Sequence, residues 1–448
     1  MMGLSRAQLR QGWRHSCTRL NSINSQKHME KPNKSYLNLL FIIFILFGIA
    51  YTLIEPLIPL ISEKLAIGYD KIGLILFVSS SVSFAAVFIS GRLSDKFDLK
   101  KIILTGLAIL VLGFFIYGII FSLAVLIATI ILFKAGGGIL DSSIHACIAK
   151  LFPVKQSHLF IKLDFFWYIG AIAGPLIISV ILFLKINTQY VFLFFACFTL
   201  IITLLFLKFS GYLKKRISVD KSLKFQHSNT GQVKSFKQRE QQLKKPFKPY
   251  SRILKNPLII CCCAGLFFYM GIISILSTWL TAYFKGLGVG LSYGSILLSA
   301  FWAFNALGVI LTGKILLKTN EASLLLLLSI FSTASSFIYS LVPITYIKII
   351  FLIMQAVSYS GFFALLNSLA VKEEPDLSGT ILGITISVAV FSQIIFQPLN
   401  GFTMQYFGLV GINYLLMICA AALFASTIFL FKISAKKNGV SFKLPLLK

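Results

Sequence analysis

The sequence Gly91-Arg92-Leu93-Ser94-Asp95-Lys96-Phe97-Asp98-Leu99-Lys100-Lys101 joins two long apolar segments, residues 72–90 and 102–121. Each segment has about 20 residues, enough for a helix to cross the hydrocarbon core of a bilayer. A connection this short leaves no room for a soluble domain between the two helices. It contains four basic and two acidic residues, and basic loops of this kind accumulate on the cytoplasmic side of a membrane. We call residues 91–101 the hinge loop.

The composition of the whole chain is typical of a membrane protein with many spans. Of its 448 residues, 57% are hydrophobic and only 12% are charged, whereas about a quarter of the residues in an ordinary soluble domain are charged. Apolar segments follow one another with short breaks. We therefore predict an all-α membrane protein with twelve transmembrane helices, six before and six after a long hydrophilic interruption: 37–61, 72–90, 102–121, 123–148, 159–184, 190–209, 257–284, 294–313, 323–342, 346–370, 378–402 and 412–433.

Three hydrophilic segments carry most of the net charge of +28: residues 1–36, 210–256 and 432–448 together hold +22. With twelve spans, all three lie on the same side of the membrane. Because Lys and Arg beside spans accumulate on the cytoplasmic face, we read the charge as a topology signal and not as a nucleic-acid site, and we expect both termini in the cytoplasm. The predicted plan is a basic tail (1–36), a six-helix bundle (37–209), a basic linker (210–256), a second six-helix bundle (257–433) and a basic tail (434–448).

The first 28 residues contain no acidic residue, and Arg6, Arg10 and Arg14 recur at every fourth position. Such a start has two interpretations: an Arg-rich organelle transit peptide, or residues that precede a start at Met29. We favour the second, because Met29 is itself followed by an ordinary basic cytoplasmic leader.

The hinge loop resembles the signature G-x-L-x-D-[RK]-x-G-[RK]-[RK], which lies between the second and third helices in the major facilitator superfamily. The matching residues are Gly91, Leu93, Asp95, Lys96, Lys100 and Lys101. Asp98 stands where the family usually has Gly, and Leu99 where it often has Arg. The second half keeps a degenerate copy at 313–318, in which Leu317 replaces the acidic residue.

This resemblance implies two six-helix bundles that rock around a cavity at the membrane midplane. It also implies coupling to a proton gradient and a gating role for the hinge loop, at Gly91, Arg92, Asp95, Lys96, Lys100 and Lys101. In particular, it implies that the Asp95 carboxylate latches the two halves in the outward-open state, by contact with helix dipoles and nearby cations.

Three carboxylates fall within the predicted spans: Glu55, Asp141 and Asp164. A charged group near the bilayer centre is costly, so such residues usually face a cavity and have a function. Pro56 and Pro59 interrupt the helix around Glu55 and leave backbone carbonyls for a polar lining. We predict Glu55 as the first candidate for proton coupling, since no cation is near it in sequence. The alternative is that Glu55 reaches the outer surface, about two turns away.

Asp141 is the second candidate for proton coupling. Lys134 lies seven residues before it on the same face of the fourth span, and His145 continues that face. Two interpretations are open for the Lys134–Asp141 pair: mutual neutralisation inside the bundle, or a role with substrate or protons. The family often has an Arg in this helix, which would be expected near Ile130, one turn from Lys134.

The fifth span contains Gly170-Ala171-Ile172-Ala173-Gly174-Pro175. It resembles the G-x-x-x-G-P-x-x-G-G motif of export members of the same superfamily, with Ile178 and Ser179 in place of the last two glycines. The resemblance implies export, and a gating role for Gly170, Gly174 and Pro175.

The second half has no carboxylate within its spans, but it has aromatic and amide side chains suited to weakly polar organic molecules, including cations. With Lys134, we predict as the lining of a substrate cavity Trp279, Tyr283, Asn305, Gln355, Tyr359 and Gln393. We expect no cofactor, metal site or enzymatic activity: no phosphate-binding Gly-rich loop, Ser–His–Asp arrangement or metal-ligand spacing is evident in the sequence, and seven cysteines form no recognisable framework.

Together these patterns favour a proton-coupled secondary transporter that exports small amphipathic organic molecules by alternating access. We expect a monomer in the cell (inner or plasma) membrane, with lipid, protons and a small-molecule substrate as its partners. Two alternatives stay open: a proton-coupled importer of a sugar, peptide fragment or anion, and a membrane protein that scaffolds or senses without transport.

Overall fold

The computed structural model describes residues 34–152, 156–209, 253, 255–374 and 378–438. All regular secondary structure in these residues is helical, which confirms the predicted all-α class. Within the described ranges, eleven helical segments are long and apolar enough to cross a membrane, and the last of them, Thr380–Lys437, has 58 residues. This segment contains two spans, because the helix Ser378–Asn438 loses its helical backbone at Gly408 (φ 59°, ψ −150°). Twelve spans therefore follow, as predicted.

We number the spans 1 to 12 in chain order. Span 1 comprises Lys34–Thr52, a 3-10 turn Glu55–Leu57 and Ile58–Leu65; spans 2 to 6 are Tyr69–Lys96, Leu99–Ile119, Leu123–Leu151, Gln156–Phe183 and Thr188–Phe209; span 7 comprises Pro257–Leu276 and Leu280–Gly286; spans 8 and 9 are Leu291–Leu316 and Glu321–Leu341; span 10 comprises Thr345–Tyr359 and Phe362–Glu373; and spans 11 and 12 form Ser378–Asn438. The break predicted from the prolines of span 1 is confirmed, whereas the break in span 7, at 277–279, was not predicted.

The hinge loop is shorter than the sequence suggested, because the helix of span 2 continues to Lys96 and span 3 begins at Leu99. Asp98, the residue that departs from the family signature, is the N-cap of span 3, and its carboxylate accepts a hydrogen bond from the Lys100 N–H at 3.1 Å. The departure thus has a structural role. The side chains of Asp95 and Lys96 lie outside the described residues.

Spans 1–6 and spans 7–12 form two halves, and the connections alternate between two ends of the molecule. We call the end with residues 97–98 the hinge end, and the other the far end. At the far end spans 2 and 11 touch: a methyl group on Gly73 would lie 3.1 Å from the Gly401 Cα.

Toward the hinge end this close approach is not repeated at the corresponding glycines. Gly91 and Gly383 are each 18 residues, or about 27 Å of helix, from that contact. A methyl group on either glycine would have no described atom of a neighbouring element within 4 Å. The two halves are therefore in contact at the far end, whereas Gly91 and Gly383 have open space beside them.

Candidate functional site

A cavity of about 30 Å³ lies between the two halves, enough for a few ordered water molecules. Small-molecule sites have ~300–1,000 Å³, so the cavity must widen to take a substrate. Five spans form its walls: Ala50, Tyr51, Ile54, Glu55 and Ile58 from span 1, Leu76 from span 2, Ile130, Phe133 and Lys134 from span 4, Thr278 from span 7 and Gln397 from span 11. Most of the lining is apolar, with one carboxylate and one ammonium group.

Glu55 lies in the 3-10 turn of span 1 and its side chain is only 6% exposed. Its Oε1 accepts a hydrogen bond at 3.1 Å from the hydroxyl of Thr278, at the break in span 7. Gln397 of span 11 donates to the same hydroxyl at 3.3 Å, and Trp279 Nε1 donates to Gln397 Oε1 at 3.3 Å. The two helix breaks thus bring the carboxylate of the first half into a hydrogen-bond chain of the second half.

The second carboxylate oxygen, Glu55 Oε2, is buried and has no hydrogen-bond partner among the described residues. A buried acceptor without a partner is costly, and most such groups in native proteins have one. Uptake of a proton by Glu55 would change this oxygen into a donor. The site can therefore accommodate two protonation states with different partners.

Lys134 lines the same cavity and interacts electrostatically with Glu55. Its Nζ lies 3.3 Å from the centre of the Tyr51 ring, a cation–π contact. The Tyr51 hydroxyl donates to Gln393 Oε1 of span 11 at 3.2 Å. The predicted cavity residues Lys134 and Gln393 are thus brought together with Glu55, across the boundary between the halves.

Asp141 does not pair with Lys134. Its Oδ1 lies 3.2 Å from His145 Nδ1, one turn further along span 4, and Asp164 of span 5 interacts electrostatically with both. The rings of Phe44 and Phe160 lie edge-on to His145, with centroids 5.5 and 4.7 Å away. This second cluster of titratable groups is nearer the hinge end than Glu55 is.

An aromatic cluster extends from Tyr51 across the boundary between the halves. Trp167 of span 5 lies edge-on to Tyr51 at 5.8 Å and to Trp302 of span 8 at 5.3 Å. Trp302 is 6% exposed, and its Nε1–H has no acceptor among the described residues. Thr278 and Trp167 are site residues that we did not predict. Trp167 could have been predicted because it lies three residues before the motif that begins at Gly170. Nothing in the sequence distinguishes Thr278 from other threonines in apolar spans.

The other predicted cavity residues have different surroundings. Asn305 accepts a hydrogen bond from Tyr168 of the first half at 3.1 Å. Tyr283 donates to Asn413 at 2.8 Å, near the far end. Tyr359 and Gln355 are fully buried and both contact Ser336 within the second half. None of these four borders the cavity around Glu55.

The glycines of span 5 are packed tightly against span 1. A methyl group on Gly170 would lie 2.1 Å from the Ile45 carbonyl oxygen, and one on Gly174 would lie 2.5 Å from Thr52 Oγ1. Thr52 also directs its hydroxyl toward Ala171 O at 3.4 Å. Pro175 lies within the continuous helix of span 5. The motif therefore fixes span 1, which carries Glu55, within the first half.

The far end is held by polar contacts between the halves. Glu63 and Lys285 form an ion pair, the Tyr69 N–H donates to Gln405 Oε1 at 2.8 Å, and Ser179 Oγ donates to Ser292 O at 2.8 Å. Surface pairs of this kind contribute little individually. We predict that these contacts form a gate and that they break when the far end opens.

Cross-linking tests this gate. In a background without the native cysteines, a cysteine pair at Ser179 and Ser292 joined by a short thiol cross-linker is expected to lock the far end and stop at least nine-tenths of transport, reversibly on cleavage of the linker. The matched pair at Gly91 and Gly383 should cross-link only when the hinge end closes. Full transport with the far-end pair fully cross-linked would contradict the gate.

Comparison with known proteins gives two kinds of match. The family model described as Major Facilitator Superfamily matches residues 40–388. Among solved structures, a bacterial homolog of the human lysosomal transporter Spinster, in its inward-facing and occupied conformation, has a TM-score of 0.71 at 13% identity and covers 90% of this chain and 97% of its own. The same bacterial protein, inward-facing and unoccupied, gives the same TM-score and identity and is covered over 98% of its length. At this identity the two structures show a shared fold. No curated protein sequence matches significantly.

Proposed function

Because the chain belongs to the major facilitator superfamily, we propose that it is a proton-coupled secondary transporter of small amphipathic organic molecules. The observation that carries the proposal is Glu55: a buried carboxylate with one unpartnered oxygen, bound through Thr278 to the opposite half. Rocking of the halves must break or remake this contact, so the surroundings of Glu55 differ between the two facing states. A proton can then be bound in one state and released in the other.

The cavity supports the substrate class. Its walls are mainly aliphatic and aromatic, with the polar groups of Glu55, Lys134, Thr278 and Gln397 on one side. Such a site suits a molecule with an apolar body and one polar end. The direct test is a substrate panel, in which cells that overexpress the protein are compared with a Glu55→Gln variant for resistance and accumulation. An identical profile for both would contradict the proposal.

Two coupling modes have separate support. The segment from Gly170 to Pro175 resembles the export motif, which favours export in exchange for protons. The ammonium of Lys134 in the cavity favours the second mode, in which an anionic substrate crosses together with a proton. Uptake into inverted vesicles with an acid interior would support the first mode, and proton-stimulated uptake into whole cells would support the second. A protein that binds ligands in liposomes without moving them would be a scaffold or sensor.

The charge pattern supports a cytoplasmic hinge end, and with it an inward-open state of this structure. We propose that 1–36, 210–256 and 434–448 face the cytoplasm of a monomer in the cell membrane; most of these residues lie outside the described part of the chain. Single cysteines there, in a background without the seven native ones, are expected to resist an impermeant thiol reagent outside intact cells. A cysteine at Gly290, at the far end, should react. Labelling of the linker from outside would overturn this topology.

We also propose that Asp95 acts in conformational switching, on the strength of the family signature around it. Asp95→Asn is expected to slow turnover at least threefold and leave substrate affinity nearly unchanged, because the residue lies far along span 2 from the cavity. Turnover and binding constants of the purified variant measure both effects. Normal turnover would remove Asp95 from the mechanism.

A further inference from the structure

Two charged groups on the cavity wall lack a hydrogen-bond partner among the described residues: the Lys134 ammonium, a donor, and Glu55 Oε2, an acceptor. Lys134 also forms no ion pair within 4 Å there, and its close contact is the face of Tyr51. Outside the cavity lining, the Trp302 Nε1–H lacks an acceptor, and the Gln393 amide donates only to Met270 Sδ at 3.9 Å, a weak acceptor.

We propose that Lys134 binds the anionic end of an amphipathic substrate, and that Glu55 takes up one proton from the open side when this anion enters. Substrate and proton then cross the membrane together. This inference rests on the proposed transport function and specifies its substrate class and coupling mode.

Charge balance distinguishes the anion from an organic cation. When Glu55 is ionised, its charge and that of Lys134 cancel in the empty cavity. An anion bound at Lys134 together with a proton on Glu55 again gives a net charge of zero. An organic cation would leave one positive charge in the cavity, whether it met ionised Glu55 or replaced a proton there. Uncompensated charge is unfavourable in a low-dielectric interior, so the anion with a proton is the loaded state that moves most easily.

The other charged groups of the elements packed around Glu55 are directed elsewhere. Thr278 and Gln397 are neutral, Lys285 of span 7 is paired with Glu63, and Lys64 of span 1 lies over the Phe121 ring. In span 5 the charged residues are Lys162 and Asp164, and in span 8 the charged residue is Lys314, all toward the hinge end. Lys134 is therefore the charged group that acts on the Glu55 carboxylate in this structure.

Binding of the anion together with a proton on Glu55 also gives hydrogen-bond partners to Lys134 and to Glu55 Oε2. Oε1 of Glu55 keeps its hydrogen bond from Thr278, while a protonated Oε2 becomes a donor for the substrate's anion. The anion also accepts from Lys134, as a charge-assisted hydrogen bond. The apolar body of the substrate then lies against the aliphatic wall and the ring of Tyr51.

Two probes with one body and opposite charges test the proposal: naphthylhexyl sulfonate and naphthylhexyl trimethylammonium, which both keep their charge from pH 5 to 8. Calorimetry on the full-length protein in nanodiscs, in buffers of different ionisation enthalpy, measures affinity and protons taken up. We expect the sulfonate to bind at least tenfold more tightly than the ammonium, with net proton uptake and with affinity that increases as the pH falls.

Variants of Lys134 and Glu55 test the role proposed for each side chain. Lys134→Gln should weaken sulfonate binding roughly 10- to 100-fold, the range for a lost hydrogen bond to a charged group, and Lys134→Arg should restore most of it. Glu55→Gln should bind the sulfonate without proton uptake and without pH dependence. Lys162→Gln, on the exposed part of span 5, is the matched control and should bind like the wild type.

Tighter binding of the ammonium probe, binding of neither probe, or sulfonate binding that is equal in wild type and Lys134→Gln would overturn the site. Sulfonate binding without proton uptake in the wild type would overturn the coupled proton. Failure of the proposed transport function can be told apart from failure of this site. If the sulfonate binds with proton uptake but liposomes never accumulate it, this site stands and the proposed function fails.

Discussion

Glu55→Gln is expected to abolish accumulation of substrate against its gradient, while substrate binding and downhill exchange persist. Gln keeps the size of the side chain and can accept the hydrogen bond from Thr278, but it cannot gain or lose a proton near neutral pH. One proton moving down a gradient of about 1.7 pH units provides ~2.3 kcal/mol, which supports a substrate gradient of roughly 50-fold when the coupled step moves no net charge. Reconstituted liposomes with and without an imposed pH gradient should show this gradient for the wild type and no accumulation for the variant.

Two variants serve as controls in the same assay. Asp70→Asn changes a carboxylate in the first turn of span 2 at the far end, outside the cavity, and should still concentrate substrate. Asp141→Asn changes the carboxylate that is paired with His145. If Glu55→Gln accumulates substrate normally and Asp141→Asn does not, the proton is carried by the fourth span, and the role given to Glu55 is wrong.

Gly170→Ala is expected to damage the fold itself. The added methyl group would lie 2.1 Å from the Ile45 carbonyl oxygen and 2.9 Å from the Ile49 nitrogen, and backbone atoms cannot move aside as a flexible side chain can. Overpacking of this kind typically costs 1–3 kcal/mol, occasionally more. We therefore expect a fall of several degrees in the midpoint of thermal unfolding, with loss of transport, because span 1 carries Glu55.

The matched control is Gly383→Ala, at a helical glycine where an added methyl group would have no described neighbour within 4 Å. Its unfolding midpoint, measured by fluorescence in the same detergent, should equal that of the wild type or exceed it slightly, since Ala favours helix. Equal stability of both variants would show that the close approach of spans 1 and 5 is not required.

The spans could be predicted because a bilayer demands long apolar helices, and this demand appears directly in the sequence. Glu55 stood out for the same reason, as a carboxylate in an apolar segment interrupted by prolines. Its partners could not be predicted. Thr278 is more than two hundred residues away along the chain, and only the break in span 7 brings its hydroxyl to the carboxylate.

The expected relation between Lys134 and Asp141 shows the limit of helical spacing. Seven residues place two side chains on one face, but about 10.5 Å apart along the axis. His145 is one turn from Asp141, at the spacing where helical neighbours meet, and it forms the contact instead. Lys134 is left to face Tyr51 and Glu55.

The amide and tyrosine side chains of the second half predicted the cavity lining less well than the carboxylate of Glu55 did. Gln393 and Gln397 lie at the boundary between the halves, whereas Gln355 and Tyr359 join helices within one half. Polar side chains in apolar helices serve both purposes, so the residue type alone cannot distinguish a cavity from a helix interface.

Proton coupling is tested most directly by the reversal of flux in liposomes that contain the purified protein and a set substrate gradient. With the membrane potential held at zero, we expect changes in the pH gradient to shift the substrate gradient at which net flux is zero, and Glu55→Gln to remove this shift. A zero-flux point that stays at equal substrate concentrations under every pH gradient would contradict proton coupling.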